Sequence, residues 1–408
     1  VTEVKEEIKE AEKTPEATQT DGMVHLHRHS EYSSLDGGSK ISAMPDKLKS
    51  LGMASMALTD HGVMQGIPDF YVALKEAGIK PILGLEAYMT EDQSNKKGQT
   101  WHITLLAENN TGYKNLCKIS SWAFIDGAIP APGGRIRARA DWNVLEKYSE
   151  GIICLTGCMA GPVMNEVMIK GNLSEARRNV QRMIDIFGKD NVYGEIQNVG
   201  IITAIPADSE LAKKLDKKPL TAEEAANYVS PHGDVSEEIK AGDVPISQTE
   251  ANAEVIEICK SLGLTTVATG DVHYLEEDDA YPHDAMLCIG TGQVQKGKRY
   301  FQLLPQRYHM RSEEEMLDSV KLWPETLEET LKVAERCNVE IEWGKELLPS
   351  YPLPEGFKTA KEYLRHLCLE GLEERYPEGN EYREESFERL DYELGVIDKM
   401  GYNDYFLI

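Results

Sequence analysis

The chain has no run of eighteen consecutive apolar residues, so none of it is long and apolar enough to cross a bilayer as a helix. Its N-terminus lacks the basic, apolar and small-residue succession of a cleavable signal. Cysteine is scarce, seven in 408 residues, with neither paired spacing nor the density of a disulfide-stapled scaffold. These absences predict a cytoplasmic protein with reduced thiols and no membrane partner. Positive charge is also in short supply, since 44 Lys and Arg stand against 69 Asp and Glu for a net charge of −25. Phosphate neutralisation supplies most non-specific affinity for nucleic acid, so the charge argues against a broad basic grip on DNA or RNA. Any nucleic acid must be held locally, or by another part of a larger assembly. At 408 residues the chain exceeds one ordinary domain and predicts two or three.

What the chain does have is nine side chains of metal-binding type, in an order that one fold can gather: His27, His29, Asp36, His61, Glu86, His102, Cys158, Asp271 and His273. Imidazole, carboxylate and a single thiol suit zinc, manganese or iron rather than calcium, which prefers all-oxygen shells. In His25-Leu26-His27-Arg28-His29 the histidines fall at every second position, which on a strand puts all three on one face. A lone histidine is most often a hydrogen-bonded core or surface residue, and clustering is what shifts that balance. His61 follows Met56-Ala57-Leu58, Glu86 follows Pro81-Ile82-Leu83-Gly84, and Asp271 and His273 follow Thr265-Thr266-Val267-Ala268-Thr269. Ligand-type residues thus recur at the C-terminal ends of short apolar runs, the end that carries the chemistry in barrels of alternating strands and helices.

Residues 1–22 are rich in Glu, Lys and Thr and predict a disordered acidic tail, with a short solvated helix over Glu3–Lys13 as the structured alternative. From Met23 to about Thr291, strand-like runs alternate with helical segments at Ile41–Leu51, Ile67–Ala77, Gly112–Trp122, Ser174–Phe187 and Glu250–Leu262. That alternation predicts an α/β class with parallel strands inside a barrel-like ring of helices, and a metal-binding domain over 23–295. Residues 200–248 break the rhythm and read as an insertion. From 296 to 408 the pattern is helical, with a capping-box signature at Ser312-Glu313-Glu314-Glu315, an amphipathic stretch from Pro324 to Cys337, and helices over Thr359–Tyr376 and Arg383–Met400 closed by Gly401. The final Tyr405-Phe406-Leu407-Ile408 reads as an apolar strand, a poor C-terminus unless a longer protein or a second chain completes it.

Several of these stretches resemble one family. Val24-His25-Leu26-His27-Arg28-His29-Ser30, Leu35-Asp36-Gly37, Ala57-Leu58-Thr59-Asp60-His61-Gly62, Gly78 to Gly84, His102 to Asn109, Thr111 to Leu116 and Gly270-Asp271-Val272-His273-Tyr274 are similar to the PHP (polymerase and histidinol phosphatase) domain. More narrowly, they resemble the form that opens bacterial replicative DNA polymerase III alpha subunits. The likeness continues through Ala334 to Val339, Arg389 to Leu394 and Met400-Gly401-Tyr402, the start of the polymerase palm region.

The resemblance implies a distorted seven-stranded barrel with a centre of three divalent metal ions, zinc or manganese, with iron and magnesium as further candidates. It assigns His27, His29, Glu86 and Asp271 to one metal, Glu86, His102 and Cys158 to a second, and Asp36, His61 and His273 to a third. One departure is Gly270, where polymerase relatives commonly carry asparagine. The complete ligand set implies 3′ to 5′ exonuclease activity for proofreading, and the partners implied are a DNA primer 3′ end, the remaining polymerase domains, a sliding clamp and a separate exonuclease subunit. The palm carboxylates of nucleotide addition lie beyond Ile408 in the family. Catalytic candidates are His61 and Glu86, with Asp60 either a general acid or base or a group that orients an imidazole. Arg135, Arg137 and Arg139 are candidates for binding the phosphate backbone, against the reading of a plain solvated basic loop. His25 and Cys154 are expected in the core, His283 near the site, and His232, His309 and His366 in structural or surface positions. Two other readings stay open: a stand-alone phosphoesterase acting on a small phosphate, and a non-catalytic module in which metals brace the barrel.

Overall fold

The computed structural model describes residues 22–131, 134–228, 239–296, 303, 306–343 and 348–408. The acidic tail, its alternative helix and His232 therefore lie outside the described residues. Seven strands form one sheet: β1 (Ser55–Leu58), β2 (Lys80–Thr90), β3 (Trp101–Ala107), β4 (Arg139–Asp141), β5 (Ile152–Leu155), β6 (Val192–Ile196) and β7 (Thr266–Ala268). They lie in the order β1-β2-β3-β5-β6-β7, with β4 paired to the last residues of β2. The pairings are parallel except at β3, which runs antiparallel to both β2 and β5. The all-parallel expectation is corrected there for a simple reason. Only residues 91–100 join β2 to β3, too few for the helical crossover that a parallel pair requires.

The two ends of the sheet meet through residues 25–29. Ala57 N–H donates to the His25 carbonyl (2.9 Å) and Thr59 N–H to that of Arg28 (2.8 Å), while on the other side His29 N–H donates to Val272 (2.8 Å). Two residues on the β1 side thus span three on this segment, a bulge that spoils regular strand geometry. The expected strand is an extended, bulged segment, and the shared face of three histidines is lost. His25 turns to the Arg311 carbonyl (2.9 Å), while His27 and His29 face carboxylates.

Alternation along the strands stacks three layers on the inner face. The bottom layer is apolar, with Ile82, Leu106, Ile153, Leu155 and Val267 packed with Val24 and Leu26. Helix Glu325–Arg336 closes it from beneath through Val333 and Ala334, with Cys337 just beyond, and Thr330 accepts from Val24 N–H (2.8 Å). Two residues further along the same strands comes a polar layer of Thr104, Glu195 and Thr269. Two more bring Glu86, His102 and Asp271. The register Gly84↔Leu106, Glu86↔Thr104, Tyr88↔His102 keeps these levels in step across β2 and β3. Being antiparallel, β3 offers its N-terminal His102 at the end where its parallel neighbours offer their C-termini.

Outer helices cover the sheet at Ile67–Glu76, Asn110–Ile125, Leu173–Phe187 and Gln248–Ser261. Within residues 200–248, strands Ile202–Pro206 and Asp243–Ser247 pair antiparallel, with helices Glu210–Lys214 and Ala222–Ala226 between them. By compactness the chain divides into Val1–Glu340 and Ile341–Ile408. Helices Glu313–Ser319 and Glu325–Arg336, which sequence grouping sets with the C-terminal segment from 296, thus fall in the first unit. In the second unit, Thr359 and Glu362 form a capping box on helix Ala360–Arg375, and Gly401, at φ 77°, follows helix Arg383–Lys399. Asn403–Leu407 is a short helix instead of the expected strand. Four apolar residues are too few to carry a period, and Asp404 in the first turn suits a helix N-terminus.

Candidate metal centre

Glu86 lies where β2 passes from one partner to the next. Its N–H donates to the Asp60 carbonyl (3.2 Å) and its carbonyl accepts from Gly62 N–H (2.8 Å), which sets His61 beside it. One carboxylate oxygen, Oε1, lies 3.2 Å from His27 Nε2, 3.2 Å from His102 Nδ1 and 3.7 Å from Cys158 Sγ. The other, Oε2, is in close contact with His61 Nδ1 and 4.0 Å from His29 Nε2. Asp271 Oδ1 lies 3.4 Å from His27 Nε2 and 3.2 Å from His29 Nε2, and Asp36 Oδ1 lies 3.2 Å from His61 Nε2. The His273 ring sits 4.4 Å from that of His29. All nine sequence-selected ligands are therefore gathered at one end of the barrel, and three groups have donor atoms close enough to share an ion: His27, His29 and Asp271; His61, Glu86 and His102; His29, His61 and His273.

The donor atoms fit divalent cations. Among the described residues, His27 Nε2, His61 Nδ1, Glu86 Oε2 and Asp36 Oδ1 are buried without a hydrogen-bond partner. A ring nitrogen lone pair aimed at a carboxylate gains nothing by itself, and buried polar atoms left unpaired are costly, whereas one cation satisfies several of them at once. Burial keeps carboxylates uncharged, yet His102 and His61 outweigh it and hold Glu86 well below its usual range. Burial likewise resists charging His27, but Glu195 and Asp271 overcome it and raise its pKa well above the usual value. For His29 the balance goes the other way: burial, with His61 and His273 adding to it, lowers it to about 3. Burial and Glu86 together push the Cys158 thiol well above its usual range.

Hydrogen bonds behind these residues fix which ring nitrogen faces inward. Asp60 accepts from Ser30 N–H (2.7 Å), Ser30 Oγ (2.7 Å) and Ser33 Oγ (2.6 Å). With its only proton given to Asp60, Ser33 Oγ accepts from His29 Nδ1 (3.1 Å), leaving His29 Nε2 unprotonated toward Asp271. The Asp60 carboxylate thus reaches His29 through Ser33. His273 Nδ1 donates to the Asp271 carbonyl (2.7 Å), which frees its Nε2. Asp271 itself adopts φ 49°, a left-handed backbone that few residues other than glycine enter, and one that Asp tolerates better than most.

Glu195, near the C-terminal end of β6, escaped the sequence reading. Its Oε1 lies 2.6 Å from His27 Nδ1, and it also accepts from Thr104, Thr269, Gln197 and Gly157 N–H. The bond requires the Nδ1–H form of His27 and presents Nε2 inward, as carboxylate–imidazole pairs do behind metals. Its one signal in the sequence is a carboxylate as the fourth residue of Val192-Tyr193-Gly194-Glu195-Ile196, a strand otherwise without charge.

The remaining candidates are placed as follows. Arg135 and Arg137 line a cleft of about 370 Å³ shared with His61 and Tyr88, and Arg137 sits 5.4 Å over the Tyr88 ring. Arg139 does not join them; it is buried, donating to the carbonyls of Gly98 (3.0 Å) and Asn95 (3.0 Å) and reaching that of Gly127 (3.5 Å). Its guanidinium braces loops, because β4 turns it away from the mouth. His283 Nε2 donates to the Asp36 carbonyl (2.6 Å), Cys154 is buried, His309 pairs with Glu315 (3.1 Å), and His366 lies near Glu370 on the surface. His25 Nδ1 has no hydrogen-bond partner among the described residues, and a Cβ on Gly270 would lie 3.3 Å from it, so an asparagine at 270 would stand beside that ring nitrogen.

Residues 25–199 match the PHP domain family, and residues 362–408 match the bacterial DNA polymerase III alpha NTPase domain. Over 95% of its length the chain is 34% identical to DNA polymerase III subunit alpha of Borreliella burgdorferi and 34% identical to that of Treponema pallidum. The corresponding protein of Aquifex aeolicus is 33% identical over the same share. The chain spans about 30% of the length of these relatives. Likeness to solved structures is weaker: a Bifidobacterium adolescentis chain aligns at 12% identity and a TM-score of 0.30, covering 72% of this chain and 96% of that one.

Proposed function

The chain carries a PHP domain and is homologous over 95% of its length to bacterial DNA polymerase III alpha subunits, and from that premise we propose that its metal centre hydrolyses phosphodiesters at the 3′ end of a DNA strand, within a larger replicative polymerase. The observation that carries this reading is the convergence of buried, unpartnered donor atoms around Glu86. In the assignment we favour, His27, His29, Glu86 and Asp271 hold one divalent ion, Glu86, His102 and Cys158 a second, and Asp36, His61 and His273 a third. The second and third ions, with three protein ligands each, keep a position for water or substrate, which a four-ligand site would not. When bound, such ions polarise a phosphate oxygen and lower the pKa of coordinated water toward neutrality. The protein's part is to hold the donors in place. Glu195 and Ser33 set the histidine tautomers, Asp60 sets Ser33, and Glu86 joins adjacent sites. Arg135 and Arg137 at the mouth supply local positive charge on an acidic chain.

The test is release of nucleotides from a 3′-labelled, mismatched primer on template DNA with manganese or zinc, comparing the unaltered chain with Asp271→Asn. Loss of label with the unaltered chain only is expected. No release from protein shown to contain metal would overturn the reading in favour of a bracing role or a small phosphate substrate.

A further inference from the structure

Another cavity, of about 420 Å³, shares no residue with the candidate metal ligands and lies where the loop after β6 meets the turn after helix Glu313–Ser319. Arg311 stands in its wall and is 4% exposed. Its Nη1 donates to the Asn198 carbonyl at 3.2 Å, the long end of the ordinary range, while Nε and Nη2 have no hydrogen-bond partner among the described residues. Those two nitrogens form one edge of the guanidinium, the fork that grips two oxygens of a carboxylate or phosphate side by side. Burial lowers the pKa of Arg311 to about 10, so the group is still cationic at neutral pH. A buried charge with a whole edge unpaired is costly, and an anion that reaches it removes the cost.

The polar groups around Arg311 are committed elsewhere. Glu315 accepts from Ser312 N–H (2.7 Å) with one oxygen and faces His309 Nε2 (3.1 Å) with the other. Gln248 Oε1 accepts from Val199 N–H (2.8 Å) and Gly200 N–H (3.2 Å), and Asn198 Nδ2 donates to the Ser319 carbonyl (2.6 Å). Arg307, Lys321, Glu277 and Asp318 at the cavity are exposed, two of each sign, so solvent screens them and they offset one another. Among the buried residues of the wall, Ile201, Gln248, His309, Arg311 and Val320, the one fixed charge is that of Arg311. Ile201 and Val320 also give the depth an apolar surface, continued outward by the half-buried Trp323. We propose that this cavity binds a small organic anion, its carboxylate or phosphate head on the Nε–Nη2 edge of Arg311 and its apolar body along Ile201, Val320 and Trp323. Binding draws the guanidinium toward the cavity and exchanges the long Nη1 contact for two charge-assisted bonds. The volume falls within the roughly 300–1,000 Å³ of small-ligand sites, more than a bare inorganic ion needs. Glu277 and Asp318 disfavour a polyanion such as DNA. The site is independent of the phosphodiesterase reading above.

The experiment is diffraction from crystals of the chain soaked in 4-bromobenzoate or in 4-bromophenylphosphonate. Anomalous scattering locates the bromine, and the C–P bond of the second probe is not an ester that a phosphoesterase could cleave. We expect bromine in the cavity, with two head-group oxygens within hydrogen-bond distance of Arg311 Nε and Nη2. Occupancy by one probe alone names the preferred head, carboxylate or phosphate. Bromine only at the metal centre or on the outer surface, or none at millimolar concentration, would overturn the proposal. Calorimetric titration supplies the second measurement. The probe seen in the cavity should bind at least about ten-fold more tightly than its uncharged analogue, 4-bromobenzyl alcohol, the scale of a hydrogen-bonded charge. Arg311→Met should abolish that margin. A margin that survives the substitution would assign the binding to another cation. Equal affinity for anion and alcohol in the unaltered chain would refute recognition by the guanidinium, whether or not the Arg311→Met chain folds.

Discussion

His27 has a carboxylate on both sides, Glu195 behind its Nδ1 at 2.6 Å and Glu86 before its Nε2 at 3.2 Å. Only the first contact fixes the ring, because it alone requires a proton on that nitrogen. Glu195→Gln keeps the volume and removes the acceptor strength, so metal affinity should fall about 10- to 100-fold, the usual effect of removing a partner behind a ligand. Competition with a chromophoric chelator measures this, and unchanged affinity would reduce Glu195 to a packing role. The contrast between candidate ligands and their supports also marks what is legible in the sequence at this scale. His27, His29, His61, Asp271 and His273 stand out because unusual residue types recur after apolar runs. Glu195 and Ser33 do not, because their partners lie 168 residues away in one case and follow from a loop's path in the other. Arg139 misled for the same reason: three arginines two residues apart look equivalent until β4 turns one inward.

Among the elements, helices with caps and long apolar faces were legible, and strand direction was not. Periodicity says which face is buried but is silent on whether a strand runs up or down. The sense of β3 follows from the length of the link before it, and the bulge at residues 25–29 from a mismatch of one residue with β1. Packing between elements depends on single glycines that carry no periodic signal. Helix Asn110–Ile125 approaches the β5 entry so closely that a Cβ on Gly112 would lie 1.8 Å from the Gly151 carbonyl oxygen. Backbone, not a mobile side chain, blocks the space, so Gly112→Ala must shift the helix or the turn. It should destabilise the fold by about 2–3 kcal/mol, the upper part of the range for overpacking. Denaturant unfolding would register this as a lower midpoint with an unchanged slope; an unchanged midpoint would mean that the helix start yields freely.

For the whole molecule, the candidate metal centre and the closure of the barrel are one feature, because residues 25–29 both bridge the sheet's ends and carry two candidate ligands. Chelation should therefore abolish hydrolysis and lower the melting temperature together, since metal binding and folding are coupled; a melting temperature unmoved by chelator would show that the barrel closes without its ions. The sign of the pH dependence follows from Cys158. Burial and Glu86 keep its thiol protonated in the metal-free chain. Metal uptake must then displace a proton, and affinity should rise with pH, as titrations in buffers of different ionisation enthalpy would reveal.

The acidity of the chain limits how DNA can be held. Of the arginines picked out as candidates, the structure brings Arg135 and Arg137 to the cleft at the mouth, while the net charge of −25 repels a phosphate backbone elsewhere. Contact with two phosphates gives a slope of about −1.4 in log affinity against log salt for a single strand. A broad basic surface would give a slope several times steeper. Fluorescence anisotropy of a labelled oligothymidine across a salt series measures it directly. A slope near −1.4, reduced by about half in Arg137→Ala, would mean that these residues hold only the strand's end and carry no grip on a duplex. A slope of −4 or steeper would place a second DNA-binding surface on these residues.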